Sequence, residues 1–412
     1  MMYDTVTAAA AATIPSVETV VLAAGFSAVG DANETLMYRK AGSAPISHQL
    51  YFQSADGAYW EYVPGPEGVN VAAAGLLRST STTYGVTQWN KAVAYCQNYL
   101  SYPTGFGPFV NIYIPPGFYK FNATLLWNPT CFGIRGYGAD LTWVAGSPNG
   151  FSIDPTSYPS GAPYQNHRCT MEGLSIYGPS DYAQNGLHFA PTSNAAAHIL
   201  IRDVNIFGWR IGVRLLANAY LIKFQNVGIF FNYYGVVDAN PIANAGENIS
   251  FEECTIFNNQ ITGFRLHNVN ASYFFTNTSI DYNGLGGFGN PDESQFTLLA
   301  VFQATFQGCH IETSTSPIKL GGGSGSYKVL FSGAAFVFVD NAGSVPNIDI
   351  GDGAFVTMIG CNAVFNNATG TPIKVRAGGG LVDVDNFLQY SGTVISADSG
   401  SRRGSLNSTV VP

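Results

Sequence analysis

Ile249-Ser-Phe-Glu-Glu-Cys-Thr-Ile256 ends in the unit that decides the fold, Cys254-Thr-Ile256. A small residue, a polar residue and a branched apolar residue return as Leu174-Ser-Ile176, Val204-Asn-Ile206, Val227-Gly-Ile229, Thr278-Ser-Ile280 and Cys309-His-Ile311. Looser copies follow at Ala334-Ala-Phe336, Cys361-Asn-Ala363 and Asn386-Phe-Leu388. The first positions are 30, 23, 27, 24, 31, 25, 27 and 25 residues apart. A second motif, often led by glycine, trails five of the copies: Gly186-Leu-His-Phe189, Gly212-Val-Arg-Leu215, Gly235-Val-Val-Asp238, Gly263-Phe-Arg-Leu266 and Pro317-Ile-Lys-Leu320. Two or three short strands per repeat, with no helical period between them, describe a parallel β-helix. Coils stack at about 4.8 Å, so equivalent residues form columns. The column Leu174, Val204, Val227, Cys254, Thr278, Cys309, Ala334, Cys361 is small and mostly apolar, and Ile176, Ile206, Ile229, Ile256, Ile280 and Ile311 form the next; both are expected to face inward. The predicted fold is all-β: a right-handed parallel β-helix, a single-stranded solenoid of about ten coils. A β-sandwich needs hairpin links, and few Asn-Gly or Asp-Gly pairs are present.

Composition narrows the function. The 412 residues carry 18 Lys+Arg and 26 Asp+Glu, a net charge of −8, with 46% apolar residues. No basic stripe is available to meet phosphates, so nucleic acid is not an expected partner. No apolar run reaches the roughly 18 residues of a membrane helix, so membrane insertion is not expected. The Met1–Ala12 segment lacks a basic start, and no cleaved signal peptide is expected. The six cysteines form no C-x-x-C pair, three fall in the inward column, and neither disulfides nor zinc are expected. No Asp-rich loop has calcium-ligand spacing. No metal and no cofactor are predicted.

Four segments divide the chain. Residues 1–66 alternate apolar and polar residues between turn signals and read as a small N-terminal β module, closed by Pro64-Gly65-Pro66. Residues 67–168 hold a first strand near Gly68–Val71, a helix over 86–100 and a strand at Val110–Ile114 stopped by Pro115-Pro116-Gly117. Trp89, Val93, Cys96 and Leu100 give that helix one apolar stripe, with Thr87 as its N-cap. Residues 169–400 carry the repeated coils, and 401–412 read as a C-terminal tail.

Three stretches resemble bacteriophage tailspikes of the pectate-lyase-like, right-handed β-helix type, a family of polysaccharide depolymerases. Gly30-Asp31 through Gln53-Ser-Ala-Asp-Gly-Ala-Tyr-Trp-Glu-Tyr62 resembles the small domain ahead of many such spikes. Val69-Asn-Val71, the helix at 86–100 and Val110-Asn-Ile-Tyr-Ile-Pro-Pro-Gly-Phe-Tyr119 resemble the opening coil with its capping helix, and Phe132-Gly-Ile-Arg-Gly-Tyr-Gly-Ala139 the first-coil Gly-x-Gly segment. Many relatives carry Asp-Gly-x-x-Asp-Asp-Thr before that helix, whereas Leu76 to Gly85 has no acid. The resemblance implies a homotrimer on the virion, attached to a tail or baseplate protein through its N-terminal region. It implies action at the host surface on a capsular, exo- or lipopolysaccharide.

Alternation places the candidate chemistry. Outward residues of the repeated strand form a near column, Ser175, Asn205, Gly228, Thr255, Ser279, His310, and a far column, Tyr177, Phe207, Phe230, Phe257, Asp281, Glu312. Asp281 and Glu312 therefore fall on neighbouring coils. Folding does not favour facing carboxylates, but a glycosidase needs two, one acidic and one basic or nucleophilic. Their proximity is expected to keep one protonated, with His310 beside them as a helper. The longest spacing, between Thr278 and Cys309, inserts a loop whose Asp292 and Glu293 are alternative acids. Trp209, Tyr233, Tyr234 and Tyr282 at the turns are candidate sugar platforms, or pack on neighbouring turns or another subunit. The four stacked aromatics of the far column are expected to face a subunit interface. On the trailing strand, His188, Arg214, Val237 and Arg265 face outward. Its arginines either grip an acidic sugar or neutralise acids such as Asp203 and Glu252. Glu252 and Glu253 are a weaker acid pair, since neighbours on a strand point to opposite sides. The expected function is cleavage of a bacterial polysaccharide by glycoside hydrolysis, the alternatives being a non-catalytic receptor-binding spike and a polysaccharide lyase.

Overall fold

Parallel pairing carries each repeat onto the next in the expected register: Leu174 on Val204, Ile176 on Ile206 and Tyr177 on Phe207, then Asn205 on Gly228, Thr255 on Ser279 and Ser279 on His310. The computed structural model describes residues 1–412 apart from 47, 100–109, 130, 156–168, 180, 183, 191–195, 239–246, 288–291, 314–315, 323–325, 340–344, 367–370, 390–393, 407 and 412. Leu100 of the helix stripe and residues 288–291 of the inserted loop lie outside the described residues. The chain winds as a parallel β-helix with three strands per coil. In one coil these are Ile249–Glu252, Thr255–Phe257 and Thr262–Leu266; in the next, Ser272–Thr276, Ser279–Asp281 and Phe296–Leu298. The third strands alone build an eleven-stranded parallel sheet.

A sharp bend separates the first two strands of each coil. Asp203, Asn226, Glu253, Asn277, Gly308, Gly333, Gly360 and Asp385 occupy it with φ between 48° and 61°. In that left-handed region a side chain normally costs about 1–2 kcal/mol, and Gly, Asn and Asp tolerate it best. The residue after the bend turns inward, where only a small side chain fits, which explains the column of Val, Cys, Thr and Ala. Those that can donate a hydrogen bond do so to the coil before. Thr278 Oγ1 donates to the Phe251 carbonyl at 3.0 Å, Cys309 Sγ to Phe275 at 3.4 Å and Cys361 Sγ to Phe331 at 3.5 Å. All six cysteines are buried thiols.

The carbonyls that accept these bonds belong to an internal stack. Phe224, Phe251, Phe275, Phe306 and Phe331 are register partners inside the first sheet, with ring centroids 4.7, 4.9, 4.7 and 4.8 Å apart and every ring buried. Beyond area burial, each such ring pair adds about 0.5–1.5 kcal/mol. A second, polar column holds the corner between the second and third strands. The Trp209 backbone N–H donates to Asn232 Oδ1 at 3.0 Å, that of Asn232 to Asn259 Oδ1 at 3.1 Å, and that of Asn259 to Asn283 Oδ1 at 3.0 Å. Asn283 then donates to Gln295 Oε1 at 2.8 Å. Each asparagine amide also donates back to an isoleucine carbonyl, of Ile206, Ile229 or Ile256. The third strand passes so close to this ladder that a Cβ on Gly235 would stand 3.0 Å from Asn259 Nδ2 and 2.2 Å from the Gly263 carbonyl oxygen. This explains why glycine leads the trailing motif.

Three expectations change in detail. Thr87 is the first residue of the helix Thr87–Tyr99, not its cap: Asn90 N donates to the Val86 carbonyl at 2.8 Å, which places the boundary at Val86. Residues 401–412 are not simply a tail, because Arg402–Leu406 and Thr409–Val411 pair with the preceding coil and extend the stack. The alanine run near the start forms a short helix, Val6–Ala11, capped by Thr5. It lies beside a five-stranded sheet made from residues 2–63.

Asp238 and Asp383 are carboxylates on inward positions, and the first has its donors in place. Asp238, paired with Leu215 in an inward column, accepts from Tyr273 Oη at 2.7 Å and from the His267 backbone N–H. Burial pushes its pKa up to about 7, against the lowering effect of these donors. Between its unfolded value near 4 and about 7, the native state holds a proton that the unfolded chain has released, so stability falls as pH rises through that window. Unfolding midpoints measured from pH 4 to 8 should therefore decline for the native sequence, by up to a few kcal/mol in stability. The Asp238→Asn variant should lack this component and be the more stable of the two at pH 8.

Candidate functional site

Asp281 and Glu312 face outward as direct register partners at the ends of Ser279–Asp281 and within His310–Thr313. The alternation that buries Ile280 and Ile311 leaves Ser279, His310, Asp281 and Glu312 on one patch. The Asp281 carboxylate collects three donors: Ser279 Oγ, His310 Nδ1 at 3.1 Å and the Glu312 backbone N–H at 3.2 Å. An ionised carboxylate only accepts, so His310 Nδ1 is the donor in this bond. The His310 side chain is 44% exposed and that of Asp281 19%. Glu312 accepts from the Tyr282 hydroxyl through Oε1. That bond, then burial and the charges of Glu312 and Asp281, raise the Tyr282 phenol above its ordinary value. Tyr282 itself sits at φ 51°, a strained conformation for a bulky residue, and its backbone N–H donates to the Glu312 carbonyl at 2.8 Å. Ser279, Asp281, Tyr282, His310 and Glu312 thus hold one another across two coils.

The far outward column runs coil by coil into this patch. Tyr177 meets Phe207 edge to face at 4.0 Å, Phe207 stacks on Phe230 at 5.3 Å, and Phe230 on Phe257 at 4.9 Å. Phe257 is the register partner of Asp281. Phe231, half exposed, packs against both Phe230 and Phe257. An apolar strip of rings therefore ends at two carboxylates and an imidazole.

The turn aromatics divide. Trp209 is not a sugar platform: its ring is fully buried against Trp143, and Nε1 donates to the Ile176 carbonyl at 3.2 Å. It occupies the inward corner position that Asn232, Asn259 and Asn283 take on later coils. Tyr233 follows that position and Tyr282 precedes it, so the three are not equivalent. Tyr233 is half-buried, within 6.0 Å of Tyr182 and 5.7 Å of Tyr234, and these rings line the corner.

The inserted loop and the basic column meet on the third sheet. Asp292 stands 3.8 Å from Arg265, and the charges of Asp292 and Glu293 act on Lys319. Asp203 and Glu252 are not neutralised by Arg214 or Arg265. They lie on the first sheet beside Arg202 and Lys223. Glu252 is therefore an ion-pair partner, and Glu253 is the left-handed bend residue. No group of three or more metal-ligating side chains gathers among the described residues.

No protein-family model and no curated protein matches the chain, but solved structures do. The enzymatically active domain of tailspike protein 4 from bacteriophage CBA120 aligns with a TM-score of 0.66 at 15% identity, covering 99% of this chain and 53% of that one. The tailspike gp49 of Acinetobacter baumannii bacteriophage Fri1, a capsular polysaccharide depolymerase, aligns at 0.57 and 11% identity, covering 99% and 69%. The gp42 tailspike of Acinetobacter phage vb_AbaP_AS12 aligns at 0.56 and 13% identity, covering 99% and 74%. The chain spans about half the length of the first of these. At such identities the likeness establishes the fold. It is the parallel β-helix of phage tailspikes, and the resemblance carried by the opening coil and the repeats is one of architecture.

Trp209 and Tyr233 separate core from surface experimentally. Trp209→Ala should cost about 3–5 kcal/mol in denaturant unfolding, whereas Tyr233→Ala should cost well under half as much.

Proposed function

We propose that the chain is part of a phage tailspike that binds a bacterial surface polysaccharide and cleaves it by glycoside hydrolysis. The observation that carries the reading is the facing of Asp281 and Glu312 on adjacent coils, at the end of a strip of stacked rings. Facing carboxylates repel and contribute nothing to folding that an amide would not, yet here each is fixed by its own donors. Hydrolysis of a glycosidic bond needs a proton for the leaving oxygen and a basic group for water or the anomeric carbon. Glu312, with one oxygen held by Tyr282 and the other unengaged among the described residues, is the proton donor. Asp281 and the half-exposed His310 ring it orients form the basic side. Tyr282 sets Glu312, and Tyr233 offers a sugar-stacking face at the corner. The fold shared with tailspikes, one of them a capsular polysaccharide depolymerase, supports the substrate class.

In this reading the protein is a homotrimer on the phage tail, attached through the N-terminal sheet and acting at the host surface. A strip of stacked rings is a patch that a lone chain rarely exposes. The neighbouring subunit covers part of it, and the carboxylates sit at the seam.

Incubation with a panel of capsular, exo- and lipopolysaccharides, followed by mass spectrometry, should give oligosaccharides without an unsaturated end. Binding with no product from any polysaccharide would point to a receptor-binding spike, and an unsaturated product to a lyase; either would overturn hydrolysis. Asp281→Asn and Glu312→Gln should each lower turnover by about 10²–10⁴-fold with the melting curve preserved, and His310→Ala by less. Sedimentation should show three chains, and Phe230→Glu should release monomers.

A further inference from the structure

The third sheet carries a second concavity, separate from the carboxylate pair. It encloses about 320 Å³ and is lined by Gln184, Asn185, Arg210, Arg214, Tyr234 and Arg265 together with Ile211 and Val237. Its origin is a matter of column order. His188, Arg214, Val237 and Arg265 follow one another outward on successive coils. Val237, a short apolar residue between two long cationic ones, leaves a notch about two strand spacings wide, roughly 10 Å. Arg210 closes the notch at the corner, where its backbone N–H donates to the Gln184 carbonyl at 2.9 Å and its own carbonyl accepts from Tyr234 N at 2.8 Å.

The charge of this notch is unbalanced. Arg210 and Arg214 have no acidic partner among the described residues. Arg265 Nε is buried without an acceptor; its one ion pair among the described residues, with Asp292, is at 3.8 Å from the far end of the guanidinium, and Asp238, which its charge also reaches, is turned inward and held by Tyr273. A buried donor left unpaired costs about 1–3 kcal/mol, and three guanidiniums sharing one hollow repel. His188 is pushed below its ordinary pKa by burial and then by Arg214, and His267 by burial and then by Arg265, so the neighbouring imidazoles add little positive charge of their own. Nothing in the packing requires this arrangement. Guanidiniums are planar forks that match a carboxylate with two parallel hydrogen bonds. The amides of Gln184 and Asn185 and the ring of Tyr234 supply what the rest of a sugar would need.

We infer that this hollow, built on Arg210, Arg214 and Arg265, is a subsite for the carboxylate of an acidic sugar, a uronic acid or one of similar charge. The inference rests on the reading of the chain as a polysaccharide-binding spike and names the class of glycan it takes. The half-buried rings Tyr233 and Tyr182 line the corner between this face and the one that bears Asp281 and Glu312.

The test uses the whole chain and needs no cleavage. Free D-glucuronate and D-galacturonate, titrated in the millimolar range and followed by ligand-observed NMR, should bind, while D-glucose and the uronate methyl ester should not. Arg214→Ala and Arg265→Ala should each weaken binding by about tenfold or more, and Arg214→Lys, which keeps the charge but loses the fork, should restore it only in part. Asp281→Asn should bind the uronates unchanged, so that loss of the hydrolysis reading leaves this one standing. Failure of both uronates to bind, equal binding of the neutral sugar, or affinity untouched by the arginine variants would overturn the proposal. Inorganic phosphate competing at equal concentration would overturn it too, by showing a general oxyanion site.

Discussion

Lateral register is the constraint on which the remaining structure depends. Residues some two dozen apart in sequence meet only because each coil pairs in parallel with the last. A slip of a single residue would turn every inward side chain outward. Two internal columns prevent that slip. The phenylalanine stack of the first sheet is apolar and indifferent to small rotations. The asparagine ladder at the corner is directional: each amide accepts from a backbone N–H and donates to an isoleucine carbonyl of the coil before it. Removing one amide leaves a buried N–H and a buried carbonyl of the preceding coil without that partner, which makes the ladder the more specific of the two devices.

With register held, the outer surface is free to carry features that folding would not select. The facing of Asp281 and Glu312, the left-handed Tyr282 and the cluster of guanidiniums around Val237 all oppose stability locally. They persist because the core beneath them is overdetermined. This is the division of labour expected of a rigid scaffold bearing a site. The same logic separates Asp238 from the outward acids: it is a carboxylate on an inward position, satisfied by a phenol and backbone donors, and its effect is on stability.

The coils and the carboxylate facing were legible in the sequence because strand alternation has a period of two and the repeat keeps it. Counting from Thr278 and Cys309 was enough to bring Asp281 opposite Glu312. The corners were less legible. Trp209, Tyr233 and Tyr282 look equivalent as aromatics near a turn. Alternation ends at the corner, however, and one residue of phase decides that Trp209 points inward. Asn232, Asn259 and Asn283 read as ordinary loop residues, although their spacing of 27 and 24 residues follows the repeat and was the available signal. Partners of charged residues were hardest to read. Arg214 and Asp203 lie close in sequence but on different sheets, and no periodicity says which acid a long guanidinium will reach.

The most direct measurement is a crystal structure of the Glu312→Gln protein soaked with an oligosaccharide from a polysaccharide it binds. The sugar should lie at the end of the strip, against Phe257, with a glycosidic oxygen within hydrogen-bond reach of residue 312 and His310 Nε2 on the opposite side of that linkage. A saccharide seated elsewhere, with Asp281 and residue 312 left in water, would contradict the assignment of this patch as the catalytic centre.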